Sequence, residues 1–194
     1  MSHHIYQTEG FVVGSRNIGE ANKVIFIFTK DLGLIAASAQ GVRLLKSKLR
    51  YSIQDYSYSK VSLVRGREVW RLTSAALVEK LLSQRNQISL VFARGLSLVK
   101  RLVNGEEKNE ALFDVLRSAS VFLRHPDSES ISEDYFECIL MIRILHTLGY
   151  IQAVEELADF IKDNSWNAEI VDRVKEFRVL MIAQINQALQ ASQL

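Results

Sequence analysis

The apolar residues of this chain recur in twos up to about residue 76 and in threes and fours beyond it. Side chains alternate across a strand and return to one face of a helix every 3.6 residues, so the switch predicts a β unit followed by an α unit. In the first stretch "IYQTEGFVVGSR" (5–16), "NKVIFIFTK" (22–30), "LIAASAQG" (34–41), "YSYSKVSLV" (56–64) and "REVWRLTSA" (67–75) read as five short strands. Gly19, Gly33, Gly41 and Gly66 mark the turns. Five such strands suit a small barrel or sandwich. In the last of them Trp70 and Leu72 share the parity of a core face, while Arg67, Val69 and Arg71 share the opposite one.

From residue 76 the spacing is helical. Leu77, Leu81, Ile88, Val91, Leu98 and Leu102 form an apolar stripe that stops at Asn104–Gly105, a C-cap signal. "NEALFDVLRSASVFLRH" ends before Pro126. "SISE" (130–133) fits a capping box ahead of "DYFECILMIRILHTLGY", which closes on Gly149. "VEELADFIKD" is a short amphipathic piece. Asn167 is placed to cap a last helix with the stripe Ile170, Val174, Phe177, Met181, Ile185, Leu189. The expected class is α+β, divided into residues 1–76 and 77–194, with no low-complexity linker between the halves.

Composition excludes several functions. No apolar run approaches the ~20 residues of a membrane span, and "MSHHIYQTEG" lacks the layout of a secretory leader. With Cys138 as the single cysteine, no internal disulfide forms, which fits a reducing cytoplasm. His3, His4, His125 and His146 have no metal-ligand spacing, and Cys138 and His146 read as packing residues of an apolar helix. "GSRNIGEANK" (14–23) lacks the G-K-[ST] ending of a phosphate loop. The paired carboxylates of "GEEKNE", "SEDYFE" and "VEELADF" fall on solvated helical faces. No catalytic residue, metal or cofactor is expected.

Charge is more informative. The net +2 conceals eleven Lys/Arg against five Asp/Glu in residues 1–75 and thirteen against seventeen in residues 76–194. "GVRLLKSKLRYS" (41–52) carries Arg43, Lys46, Lys48 and Arg50 with no acid. Together with Arg16, Lys23, Arg65, Arg67 and Arg71 these cations make the front unit a candidate for holding phosphates, with Tyr51, Tyr56, Tyr58 and Trp70 as rings for stacking or for core packing. Closure of a barrel would bring the 43–50 cluster beside Arg67 and Arg71.

The order of motifs adds what charge does not. "TEGFVVGSRNIGEANKVIFIFTKDLGLIAASAQGVRLLKSKLRYSIQ" resembles the amino-terminal domain of the RecO family of bacterial recombination and repair proteins. The matching residues are Thr8, Glu9, Gly10, Gly19, Glu20, Ala21, Phe28, Thr29, Gly33, Gly41, Arg43, Lys46, Ser47, Leu49 and Gln54. "RGREVWRLTSAAL" (65–77) and "FECILMIRILHTLGY" (136–150) are similar to two further family segments, so the resemblance covers roughly residues 5–150. It implies an amino-terminal five-stranded OB-fold barrel followed by an all-α helical domain. It also implies a non-enzymatic mediator of the RecF pathway, cytoplasmic and nucleoid-associated, that binds single- and double-stranded DNA. Such a mediator anneals complementary strands carrying single-strand-binding protein and assists RecA loading with RecR. Two alternatives remain open: an adaptor that binds RecR with little DNA affinity, and an RNA-binding OB-fold protein.

The departures from the family pattern are specific. Cysteines of a zinc-binding insertion, which many relatives carry after L-G-Y, are missing from "IQAVEELADFIKDNS", so no zinc site is expected and the helical domain reads as reduced. Glu133, Asp134 and Tyr135 stand where relatives are basic, which leaves Arg117, Arg124 and Arg143 as the candidates for the acidic tail of single-strand-binding protein. Leu45 replaces a family proline beside the basic loop.

Overall fold

The structure, a computed structural model of the chain, describes residues 4–67, 69–82, 87–125, 128, 131–152 and 154–192. Its five strands are β1 (Ile5–Ile18), β2 (Asn22–Thr29), β3 (Gly33–Ala39), β4 (Ser57–Arg65) and β5 (Trp70–Lys80), with one helical turn, α1 (Leu49–Ser52), between β3 and β4. They close into a barrel in the order β1-β2-β3-β5-β4. Four of the pairings are antiparallel, and the parallel pairing of Ala37 with Trp70 and Ser38 with Arg71 joins β3 to β5. The long first strand pairs with β4 through its first half and β2 through its second, bending at a register shift between Val12 and Gly14. This is the five-stranded OB-fold barrel.

Alternation explains the closure. In β3, Gly33, Ile35, Ala37 and Ala39 are buried while Leu34, Ala36 and Ser38 are half-buried. Ile35, Ala37 and Ala39 join Val12, Ile25, Ile27, Val61, Leu63, Trp70 and Leu72 in the barrel core, and Val42 and Ile53 plug it from the β3–β4 connection. Each large aliphatic there contributes about 1.5–3 kcal/mol relative to exposure. As the parity of β5 predicts, Trp70 and Leu72 face in, and Val69 and Arg71 face out.

The helices are α2 (Gln87–Leu102), α3 (Glu110–Phe122), α4 (Glu133–Thr147), α5 (Ala158–Ile161), preceded by a 3-10 turn at Glu155–Leu157, α6 (Ala168–Asp172) and α7 (Val174–Ala191). Two compact units result. One takes in the barrel and residues 96–110; the other takes in residues 87–95 and the described residues from 111 onward. In the second unit α4 is the central helix. Phe136, Cys138, Ile139, Leu140, Ile142, Arg143, Ile144 and Leu145 are all buried, the pattern of a helix covered on most sides. Phe122, Phe136 and Trp166 stack beside it with ring centroids 4.6–6.3 Å apart.

Several expected boundaries move. The fifth strand runs to Lys80, so Leu77 belongs to a strand, and the next helix is described over Gln87–Leu102. Pairing of Tyr58 with Glu79 and Ser57 with Lys80 supplies backbone partners that local spacing does not reveal. Helix α2 ends at Leu102, ahead of Gly105 at φ +84°. Helix α3 ends at Phe122; Pro126 and Ser130, on which a stop and a capping box were expected, lie outside the described residues. The N-cap of α4 is Ser132, without a side-chain cap bond. At the other end Gly149 (φ +79°) closes α4 as foreseen: its N–H donates to the His146 carbonyl (2.9 Å) and that of Tyr150 to Leu145 (2.9 Å), a Schellman pairing. Asn167 is a helix cap, accepting from the Ile170 N–H at 2.7 Å, but it caps the short α6, and the expected single helix breaks at Arg173.

Candidate nucleic-acid interface

The barrel register gathers the basic residues that lie far apart in sequence. Asn17 pairs with Lys23, Lys23 with Ala39, and Ser38 with Arg71. The ends of β1, β2 and β3 and the start of β5 therefore lie side by side. With ~4.8 Å between neighbouring strands, the backbones of Lys23 and Arg71 are roughly 10 Å apart. Arg16 lies on β1 opposite Val24, and Arg65 and Arg67 flank the β4–β5 turn at the same end.

The β3–β4 connection, residues 40–56, folds over this end. Val42 and Ile53 are buried in the barrel core, and the backbone N–H of Arg43 donates to the Ala21 carbonyl (3.0 Å). The Arg43 guanidinium donates to the Gly19 carbonyl (2.7 Å). A cleft of about 460 Å³ opens between this connection and the β1–β2 turn, lined by Asn17, Lys23, Val42, Arg43, Arg50, Ile53, Gln54 and Asp55. Three of the expected cations thus share one cleft with one carboxylate. Lys46 and Lys48 stay on the exposed loop beside it. Among the described residues, Arg16, Lys46, Lys48, Arg50, Arg67 and Arg71 have no ion-pair partner.

Arg65 differs. It pairs with Glu106 and lies over the Trp70 ring, its guanidinium carbon 4.8 Å from the centroid. Of the four rings considered, only Tyr51 is well exposed, at 64%. Tyr58 and Trp70 are buried, and the half-buried Tyr56 shares a hydrogen bond with Ser97 (3.0 Å). Tyr6, edge-on to Trp70 at 5.1 Å, is a rim aromatic that charge patterning had not singled out.

OB-folds commonly bind oligonucleotides on the outer face of strands two and three. In β2 that face carries Val24, Phe26 and Phe28, which alternate with the core residues Ile25 and Ile27. Residues 96–110 of the same unit occupy part of it. The Lys100 ammonium sits 4.3 Å from the Phe26 ring centroid, and the Glu107 backbone packs so closely on Gly33 that a Cβ there would overlap it.

Cations of the helical unit are used differently. Arg94 makes a two-pronged bond to Glu137 (2.8 and 2.7 Å), which raises its pKa above the ordinary value. Arg178 pairs with Asp134 and Arg173 with Asp159. Arg143, expected as a partner-facing cation, is 1% exposed. It donates to the carbonyls of Phe160 (2.7 Å) and Ser165 (2.9 Å) and lies over Trp166 at 4.6 Å, holding a loop inside the unit. Burial lowers its pKa to about 10. Its expected surface role is therefore withdrawn, because the side chain is buried and its Nε and Nη2 donate to backbone carbonyls of the same unit. Arg117, bonded to Ser120, lines a cleft of about 710 Å³ with Val121, Phe122, His125 and Trp166, while Arg124 is exposed.

Cys138 is buried, and burial raises its thiol pKa, the opposite of what a nucleophile needs. Among the described residues no group of three or more His, Cys, Asp or Glu is placed to hold a metal ion, and no helix is long and apolar enough to cross a membrane.

Comparison with known proteins bears on the whole arrangement. Residues 1–81 match the family model described as Recombination protein O N terminal. Over 158 residues the chain is 31% identical to the DNA repair protein RecO of Dehalococcoides mccartyi strain CBDB1, covering 80% of this chain and 61% of that protein. It is 33% identical over 114 residues to the DNA repair protein RecO of Alkaliphilus metalliredigens, covering 58% and 46% respectively. With that of Acetivibrio thermocellus it shares 27% identity over 146 residues, covering 74% and 57%. The chain thus spans at most 61% of the length of these relatives.

Proposed function

We propose that the chain is a RecO-type, DNA-binding mediator of recombination and repair, a reading supported by the match of residues 1–81 to the Recombination protein O N terminal model and by 31% identity over 158 residues to a DNA repair protein RecO. The observation that carries this reading is the cluster of cations at one end of a closed OB-fold barrel: Lys23, Arg43 and Arg50 line a single cleft, and Arg16, Lys46, Lys48, Arg50, Arg67 and Arg71 have no ion-pair partner among the described residues. Unpaired lysine and arginine are ready to replace the counterions of a phosphate backbone. In this reading Arg16, Lys23, Arg43, Lys46, Lys48, Arg50, Arg65, Arg67, Arg71 and Tyr51 form the DNA-binding surface of the amino-terminal domain, and the helices of the second unit form a reduced helical domain. Neutralising the phosphates of two complementary strands lowers the repulsion that slows their pairing. The activity is strand annealing without catalytic turnover, together with RecR-assisted loading of RecA. For the acidic tail of single-strand-binding protein, Arg117 and the exposed Arg124 remain the candidate contacts, Arg117 in a cleft that it shares with Asp114, Phe122 and Trp166.

Two measurements test the proposal. Fluorescence anisotropy on a single-stranded oligonucleotide should show affinity falling steeply with salt, with a log–log slope of about −0.7 per phosphate engaged. Mixing two complementary oligonucleotides with saturating protein should speed their annealing. Binding without acceleration would limit the role to capture, and no salt-dependent binding would favour a RecR-binding adaptor.

A further inference from the structure

Exposed apolar residues are ordinary when they are scattered singly. The basic loop holds three within eight positions. Leu45 is 86% exposed, Leu44 45% and Tyr51 64%, and all three lie among Arg43, Lys46, Lys48 and Arg50. They are firmly presented. Val42 on one side and Ile53 on the other are anchored in the barrel core, with Leu49 packed against it. Between the anchors, turn bonds run from the Leu44 N–H to the Gly41 carbonyl (3.1 Å) and from the Ser47 N–H to the Leu44 carbonyl (3.0 Å). Gly41 sits at φ +63°, a conformation that fixes the turn and that side chains rarely adopt.

A loop whose only task was to attract polyanions would gain nothing from two adjacent leucines held in water at its tip. Apolar side chains carried next to phosphate-binding cations are the composition of a wedge, which enters between bases while the charges hold the backbone. We propose that Leu44 and Leu45 insert against the bases of a single nucleic-acid strand, with Arg43 and Lys46 on its phosphates and the Tyr51 ring close by for a further base. The ligand class is single-stranded nucleic acid with unstacked bases. Prying neighbouring bases apart exposes their pairing edges, which is useful to a protein that brings a second strand to them. This inference rests on the DNA-binding reading above and adds a base contact to a phosphate contact.

The test uses an oligonucleotide carrying 2-aminopurine, whose fluorescence rises when it is unstacked. Wild-type protein at saturation should raise that signal several-fold. The double variant Leu44→Ser, Leu45→Ser should bind with the same salt slope, should lose most of the rise, and should bind about tenfold more weakly, as expected for losing a base contact. The single variant Leu45→Ser gives an intermediate result if the double variant folds poorly, as judged by circular dichroism. Wild-type binding with no rise, or a rise undiminished in the variants, overturns the wedge and leaves phosphate binding intact. Absence of salt-dependent binding by wild type overturns both readings. Leucine-dependent binding to vesicles with anionic lipid, together with unchanged DNA binding in the variants, assigns the leucines to a membrane surface and overturns the proposal.

Discussion

The two units hold arginines of opposite use. In the barrel unit Arg43 and Arg50 reach into an open cleft, and most cations around them lack an acidic partner. In the helical unit Arg94, Arg173 and Arg178 are matched by Glu137, Asp159 and Asp134, and Arg143 is enclosed. The same side chain is thus a solvated, available charge in one place and a structural fastener in the other. What separates the two uses is whether the surrounding fold supplies acceptors, and net charge along the sequence only hints at that.

The contrast is sharpened most by Arg143→Ala. Two interior carbonyls would lose a charged donor, each such bond being worth about 1.5–3 kcal/mol, so the helical unit should lose at least ~3 kcal/mol in denaturant unfolding. Oligonucleotide affinity should stay unchanged. Arg43→Ala should do the reverse, leaving stability within ~1 kcal/mol and weakening binding. Loss of stability in both variants, or of binding in both, would erase the distinction.

A smaller effect is expected inside the barrel unit. Gly33 has φ +68° and lies against the Glu107 backbone. Gly33→Ala should therefore cost about 1–2 kcal/mol for the backbone conformation alone, and more for the displaced segment. An unchanged melting temperature would show that residues 103–110 do not pack on the barrel as described. The smallest effect is expected from Glu106→Gln, which releases Arg65. An exposed pair of this kind contributes ~0–1 kcal/mol to stability, while the freed cation should steepen the salt slope by up to about 0.7. An unaltered slope would place Arg65 outside the phosphate path.

What was legible in the sequence follows from how far each signal reaches. The strands and their facing were readable because alternation such as that of Ile35, Ala37 and Ala39 is local. The end of β5 was misread because Leu77 and Leu81 also fit helical spacing, and only pairing with Ser57–Ser59, some twenty residues earlier, decides for a strand. The capping role of Asn167 and the closing role of Gly149 were readable for the same local reason. The cleft was half readable. Its cations were named in advance, but Asn17, Gln54 and Asp55 join them only through the fold. Arg143 looked like any other arginine, since its acceptors at Phe160 and Ser165 lie 17 and 22 residues away.

The central claim is that the loop cations carry the electrostatic work of binding and the paired cations of the helices do not. Two variants measured side by side test it: Arg43, Lys46, Lys48 and Arg50 all changed to Gln, and Arg94, Arg173 and Arg178 all changed to Gln. With anisotropy on a single-stranded oligonucleotide across a salt series, the loop variant should flatten the log–log slope by about 3 units, while the helical variant keeps the wild-type slope. A loop variant with the wild-type slope, or a helical variant that flattens it equally, would contradict the account.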